Sequence, residues 1–473
     1  MLEYLEVNIS LLAASLSSVV FFKAGIFGFE IPLIVLWLVV GALFFTVYLN
    51  FINIRGFRIA VGLITKKKSD QDTANGEISH FQALTTAVSG TVGIGNIAGV
   101  AIAISLGGAG AAFWLAVAGF LGMSTKFCEC TLGTLYRRTH SDGTIAGGPM
   151  FYLREGLAEI GRPRLGRVMA GFYAACLVVG CFGIGNMFQS NQAAVILTGQ
   201  LGDLNFQYSN VAIGLLLAFA TGLVIIGGLK SIAAVTSRLV PLMLLIYLLM
   251  VVVVLGLNIE LLDDAFKLIV SEAFTASGVK GGVVGAIIIG FQRAVFSNEA
   301  GLGSAAIAHA AAKTDQPVSQ GMVALLEPFI DSVVVCTLTS LVIVILVILP
   351  GEATSGLSGI EMSSRAFDTA IPGSSMLLSI IATLFAFSTM LAWSYYGLIA
   401  LEYLLGRSEI SGLIFKLTFL VFIVIGSTVD LKSVIEISDA LVFLISIPNL
   451  VGLYLLAPKI KQELHAYLSS QTD

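Results

Sequence analysis

TVGIGNIAG, residues 91–99, interrupts a long apolar run with three glycines and an asparagine. Its Gly93-x-Gly95-x-x-Ala98 spacing matches a dinucleotide-binding fingerprint, and GIGN returns at 183–186. That fingerprint needs a strand before it, a helix after it and an acid about 20 residues on. Here FQALTTAVSG precedes it without strand character, and FWLAVAG at 113–119 offers no acid. Close packing of two helices suits Gly95-x-x-x-Gly99, yet it leaves Asn96 unexplained, because an amide is costly in hydrocarbon unless paired. A broken membrane helix accounts for both features. Gly90, Gly93 and Gly95 let the backbone unwind in mid-span, freeing N–H and C=O groups that must find partners. A ligand carboxylate takes the N–H groups, helped by the positive end of the half-helix that follows, and a dehydrated cation takes the carbonyls. Irregular backbone at membrane depth is tolerated where it lines such a cavity, so the stretch predicts a binding site.

Composition sets the class. The 473 residues are 57% hydrophobic and 11% charged, against roughly 25% charged in an ordinary soluble domain. Apolar runs of about 20 residues, enough to cross a bilayer, recur along the whole length. Read against their punctuation, they give eleven spans, near 31–52, 81–105, 109–136, 168–199, 206–226, 233–257, 281–308, 320–349, 374–405, 411–427 and 434–457. Residues 1–29 read as a peripheral amphipathic helix. The five cysteines lie in apolar segments without a Cys-x-x-Cys pair, and the four histidines form no His-x-x-x-His pair. Neither a disulfide framework nor a metal centre is indicated. No basic region precedes the first apolar stretch, so no cleaved signal peptide is expected.

Alternate loops collect 18 of the 25 basic residues, including Arg55, Arg58, Arg137, Arg138, Arg407 and Lys416. The other side has Lys23, Lys267, Lys280, Arg365 and Lys432 among acids such as Asp263, Asp264, Glu352 and Asp439. The positive-inside rule then puts the N-terminus outside and the C-terminus in the cytoplasm of a multi-pass plasma-membrane protein.

Transporters built from inverted repeats break corresponding helices in each half. Five spans on from 81–105 lies 281–308, beginning GGVVGAIIIGFQRAVFSNEAGLGSA, also rich in glycine and carrying Gln292, Arg293, Asn298 and Glu299. The expected organisation is 1–80 as an N-terminal segment with an appended span and a basic loop, 81–257 as a first five-helix repeat, 258–457 as a second, and 458–473 as a cytoplasmic tail.

SGTVGIGNIAGVAIA, AGGPMFYL (146–153), FGIGNMFQSNQ (182–192), GFQRAVFSNEAGLGSAAIAHAAA (290–312), PFIDSVVVCTLTSLV (328–342) and FAFSTMLAWSYYG (385–397) resemble the alanine/glycine:cation symporter family over about residues 30–457. The resemblance implies an all-α leucine-transporter-type fold, a five-plus-five inverted repeat with one added N-terminal span. It also implies sodium-coupled uptake of alanine or glycine. Carried onto this chain, it makes Thr91, Gly93 and Gly95 the candidates to hold a substrate carboxylate through backbone N–H. Asn96 holds the break open or bonds substrate. Phe188 and Gln192 share a helix face at i, i+4, with Gln189 beside them. Phe291 and Gln292 take the substrate contacts of the second broken helix, and Trp393 is a pocket wall or gate. For Na⁺, the resemblance implies carbonyls of Ser89, Val92 and Phe385 with hydroxyls of Ser388 and Thr389. Five neutral hard oxygens suit a small dehydrated cation. The plain alternative for the hydroxyls is back-bonding to the preceding turn.

Charges within spans are functional by default. Arg293 is expected to pair with Glu299 or Asp331, and Lys126 with Glu129 at i, i+3 as a structural pair. Any of these acids could carry a proton instead, so H⁺ coupling stays open. An ion channel lacks repeated filter loops here, a membrane enzyme lacks a His/Asp/Glu cluster or nucleophile elbow, and ATP-driven transport lacks a P-loop. No organic cofactor and no nucleic-acid partner is expected. The sequence leaves open the preference among alanine, glycine and serine, the enantiomer, the stoichiometry and the oligomeric state.

Overall fold

Hydrocarbon offers backbone groups no partners, so a chain this apolar satisfies them inside helices. The computed structural model describes residues 15–26, 29–65, 75–201, 208–275, 282–351 and 359–470. Most of the expected 1–29 helix, and Lys280 and Glu352 of the charge pattern, fall outside these. In the described part of that helix residues 15–20 are helical, but Lys23–Ile26 and Phe29 lie in a β-ribbon instead. The described residues are helical apart from connecting turns and two short two-stranded ribbons, Lys23–Ile26 with Phe29–Pro32 and Arg138–Thr139 with Ile145–Ala146.

Helix α1 (Leu33–Tyr48) gives way through Asn50 and Phe51, both with positive φ, to α2 (Ile52–Arg55) and α3 (Phe57–Thr65). The chain bends there by 63°, so the first span stops about a turn short of the expected 52. Helices α4 (His80–Thr91) and α5 (Ala98–Gly107) flank a single turn at Ile94–Asn96 and bend by 59°. After α6 (Gly110–Leu135) and α7 (Pro149–Glu159), helix α8 (Pro163–Gly180) runs through a widened turn at Gly183–Met187 into α9 (Phe188–Leu201). Next come α10 (Ser209–Ile225), α11 (Gly228–Leu257), α12 (Leu262–Phe274), α13 (Gly282–Asn298) and α14 (Ala305–Ala310). Helices α15 (Pro317–Ile348), α16 (Ile360–Ala370), α17 (Ser374–Leu405), α18 (Glu409–Gly426) and α19 (Leu431–Ser469) complete the order.

Each of the eleven expected stretches holds a helix. Among the described residues, seven helices are long and apolar enough to cross a membrane, or nine if each bent pair counts as one span, and α10 and α13 are shorter apolar helices. The second interruption falls late in its stretch. Helix α13 is continuous to Asn298, and the chain then turns through Glu299, Gly301 and Gly303, at φ of 58°, 98° and 77°, before α14. The broken pair α4–α5 is central. Helix α4 packs against α11, α17 and α14, and α5 against α13 and α6. From Ala83 to Ile104 every side chain is buried.

Candidate functional site

The first break opens because Val92 and Gly93 leave helical geometry, at φ/ψ of −77°/89° and −128°/−159°. Gly93 is there for closeness: a Cβ on it would stand 2.4 Å from Thr389 Oγ1 and 3.1 Å from Gln189 Oε1. Two of the freed amides are taken by side chains. Gly93 N–H donates to Asn96 Oδ1 at 2.9 Å, and Ile94 N–H to Gln189 Oε1 at 3.1 Å. Among the described residues the Gly95 N–H makes no hydrogen bond. The Asn96 amide donates to Asp331 Oδ1 at 2.6 Å and to Asp331 O at 3.2 Å. Asn96 therefore braces the break, and Thr91 ends α4 with its hydroxyl back-bonded to Ala87 and Val88.

Opposite the break, Thr389 Oγ1 on α17 donates to Ser89 O on α4 at 2.9 Å. The preceding residue, Ser388, donates to Phe385 O at 2.9 Å within its own helix, so its hydroxyl shows the plain back-bonding to the preceding turn. Ser89 and Thr389 thus meet at the crossing of α4 and α17. Phe385, Ser388 and Val92 are buried nearby in the same two segments, with no side-chain hydrogen bond to that pair among the described residues. Their donor chemistry fits a small hard cation: hydroxyl and carbonyl oxygens, all neutral. Each hydroxyl now spends its proton on a carbonyl that an ion would share.

Aromatic side chains close the space around Gly95. Phe188 meets Phe296 edge to face with centroids 4.9 Å apart. A Cβ on Gly95 would lie 3.8 Å from both Phe296 Cδ1 and Ser297 Cα. Trp393 is fully buried against the backbone of Gly185, and its Nε1–H donates to Glu299 Oε1 at 2.9 Å, tying α17 to the second break. Other expected residues are not brought here. Phe291 lies more than a turn before the second break and lines a narrow crevice with Leu38, Ala42 and Ala118. Gln292 donates to Asp439 at 3.0 Å. Gln192 accepts from Ile360 N–H at 3.1 Å, so it holds the start of α16 rather than the break.

Sequence reading passed over Phe296 and Ser297. The signal was present, because Gly301 and Gly303 locate the second break and these residues end the last full turn before it. Asp331 stood out only as an ion within a span. It proves to join the two halves, accepting from Asn96, from Ser297 Oγ at 3.0 Å and from Ser332 Oγ at 2.7 Å. It lies in a widened helical turn, Phe329–Cys336, a distortion that favours functional positions.

The ion pairs differ from expectation. Arg293 pairs with Asp439 on α19, not with Glu299 or Asp331. Lys126 pairs with Glu327 on α15 at 3.3 Å, not with Glu129. Glu129 instead accepts from Gly301 N–H, Gly303 N–H and Asn449, at 2.9, 3.0 and 2.7 Å. It thereby satisfies the backbone that the second break sets free.

A broken central helix with a second break beside it, inside a bundle of apolar spans, is the architecture of a secondary transporter of the leucine-transporter type. The fold is that of MhsT, solved with L-phenylalanine, at a TM-score of 0.57 over 84% of this chain and 99% of that one. The two are 15% identical, so the likeness carries the fold alone. Residues 15–473 match the sodium:alanine symporter family, and the chain belongs to it. It is 41% identical to the sodium/alanine symporter AgcS of Methanococcus maripaludis, over 92% of this chain and 94% of that protein. Two Bacillus subtilis relatives show the range of the family. One is the probable sodium/glutamine symporter GlnT, 31% identical over 92% of this chain and 87% of its own length. The other is the putative sodium/proton-dependent alanine carrier YrbD, 32% identical over 78% and 76%.

Proposed function

We propose that this protein carries alanine or glycine into the cell together with Na⁺, by alternating access around the α4–α5 break. The observation that carries this reading is the contact between Thr389 Oγ1 and Ser89 O, which puts neutral oxygens of α17 and α4 around one point beside Gly93. In this reading Ser89, Val92, Phe385, Ser388 and Thr389 hold the ion. The substrate carboxylate takes the Gly95 N–H, with Thr91 and Gly93 forming the backbone around it and Asn96 bracing the turn. Phe188 and Phe296, packed edge to face beside Gly95, restrict the substrate in this reading to a small side chain such as that of alanine or glycine. Gln189 supports the break, whereas Gln192, Phe291 and Gln292 act from outside the pocket. The basic loops face the cytoplasm of a plasma membrane, and the N-terminus faces out. One charge crossing about 100 mV supplies roughly 2.3 kcal/mol, about a 50-fold accumulation, before any Na⁺ gradient is added.

Coupling to H⁺ is the second reading, and Asp331 favours it. It is a buried carboxylate whose hydrogen-bond donors, Asn96, Ser297 and Ser332, are all neutral. A carboxylate can take up and release a proton, whereas a Ser or Thr hydroxyl does not titrate. Two shape-preserving variants separate the readings. Thr389→Val should weaken the apparent affinity for Na⁺ by about tenfold, about 1.4 kcal/mol, with alanine affinity at saturating Na⁺ changed much less. Uptake that keeps its Na⁺ dependence in Thr389→Val but loses its dependence on a proton gradient in Asp331→Asn would make the proton the coupling ion.

A further inference from the structure

If the chain works by alternating access as proposed, the ends of its two broken helices on the basic side form the inner gate. Asn75–Ile78, leading into α4, runs beside Ala310–Thr314, leading out of α14. Main-chain bonds stitch them together: Glu77 N–H and Ile78 N–H donate to Ala311 O at 2.8 and 3.2 Å. Lys313 N–H donates to Ile78 O at 2.8 Å, and Thr314 N–H to Asn75 O at 3.2 Å. Arg137, two residues beyond the end of α6, spans the seam. Its Nη1 donates to Ala310 O and Ala312 O at 3.0 and 2.6 Å, and its Nη2 to Asn75 O and Thr314 O at 2.8 and 2.6 Å.

The chemistry favours arginine here. The last carbonyls of α14 have no partners within the helix, and that end carries partial negative charge. A planar guanidinium presents several donors in a fixed fork, so it can serve carbonyls of two segments together. An ammonium is a point charge and cannot span them. A second layer lies directly beneath. His80, the first residue of α4, bonds Gln320 on α15; Gln320 bonds His309 on α14; and His309 bonds Glu327, the partner of Lys126 on α6. The half-helices α4 and α14 are therefore tied to one another and to α6 at the end through which substrate would leave in the alternating-access reading.

We propose that Arg137 is the latch of the inner gate: its guanidinium holds the entrance of α4 against the exit of α14, and its release lets α4 swing away and open the site to the cytoplasm. Arg137 is a positioning residue, since it acts on the site only through α4 and α14.

The interface that α4 must leave supplies a reporter, because Thr86 on α4 meets Thr236 on α11, hydroxyl to hydroxyl, at 3.2 Å. The five native cysteines are buried, and the same protein without the reporter gives their background. The experiment measures the rate at which a maleimide labels Thr236→Cys in the purified full-length chain. Arg137→Gln should raise the rate about tenfold or more, with Arg137→Lys rising in the same direction. Gly76→Ala is a second route to the same state and decides the matter if Arg137→Gln fails to fold. Its Cβ would sit 2.4 Å from Lys313 Cα at a φ of 154°, wedging the seam while Arg137 remains. Folded variants that label at the parental rate, with only a lowered melting temperature, would make Arg137 a helix cap and overturn the proposal. Labelling does not depend on substrate, so a failure of Na⁺-dependent alanine uptake would refute the transport reading and leave this comparison intact.

Discussion

Gly93 has room for a hydrogen and nothing larger. A methyl group there meets Thr389 Oγ1 at 2.4 Å, inside any real contact distance, and the hydroxyl must move off Ser89 O. Gly93→Ala should therefore behave as a sodium-site mutation although it removes no oxygen. We expect its apparent Na⁺ affinity to fall by about tenfold, about 1.4 kcal/mol, in titrations of Na⁺-dependent alanine binding. Unchanged Na⁺ affinity would show that Thr389 does not serve the ion. The need for glycine at 93 was legible as a break in the helix. The sequence cast its N–H as a carboxylate donor, whereas that N–H is taken by Asn96 Oδ1, and its missing side chain makes room for Thr389. Phe296 was not legible, because one more phenylalanine in an apolar helix looks like packing until the chain is folded. Asn96 was half legible: its need for partners followed from burial, but Asp331 lies 235 residues on.

At the scale of elements, α13 and α19 are joined by a buried ion pair. Arg293 and Asp439 have side chains 3% and 8% exposed, and the guanidinium also lies 5.0 Å from the centroid of the Phe296 ring. Removing one partner strands a buried charge, which typically costs about 3–5 kcal/mol, whereas apolar replacement of both is often neutral. Arg293→Met should lower thermal stability sharply, and Arg293→Met with Asp439→Leu should recover most of the loss. A double variant as unstable as the sum of the two singles would mean that the pair is not coupled. Helix positions followed from the sequence because apolar length and glycine punctuation are local. The partner of each intramembrane charge did not follow, since pairing depends on which helix faces which. For Lys126 the local guess, Glu129 three residues on, lost to Glu327 across the interface. The extent of α1 was missed for a local reason: Asn50 and Phe51 turn the chain through positive φ, which apolarity alone does not reveal.

For the whole molecule, hydrophobic length and charge asymmetry gave the class, and long motifs gave the family. Coupling is the property that neither could supply, because it is a free energy shared between an ion site and a substrate site. In the proposed reading those sites meet at one break, with Thr389 on one side of Gly93 and Phe296 beside Gly95. Each ligand should therefore strengthen binding of the other, and movement of one should drive the other. The most direct test is uptake of radiolabelled alanine by proteoliposomes of the purified protein, with Na⁺ and H⁺ gradients imposed separately. An inward Na⁺ gradient at equal pH should drive accumulation above equilibrium, and an inward H⁺ gradient without Na⁺ should not. Accumulation driven by the H⁺ gradient alone, with the Na⁺ gradient ineffective, would contradict the account.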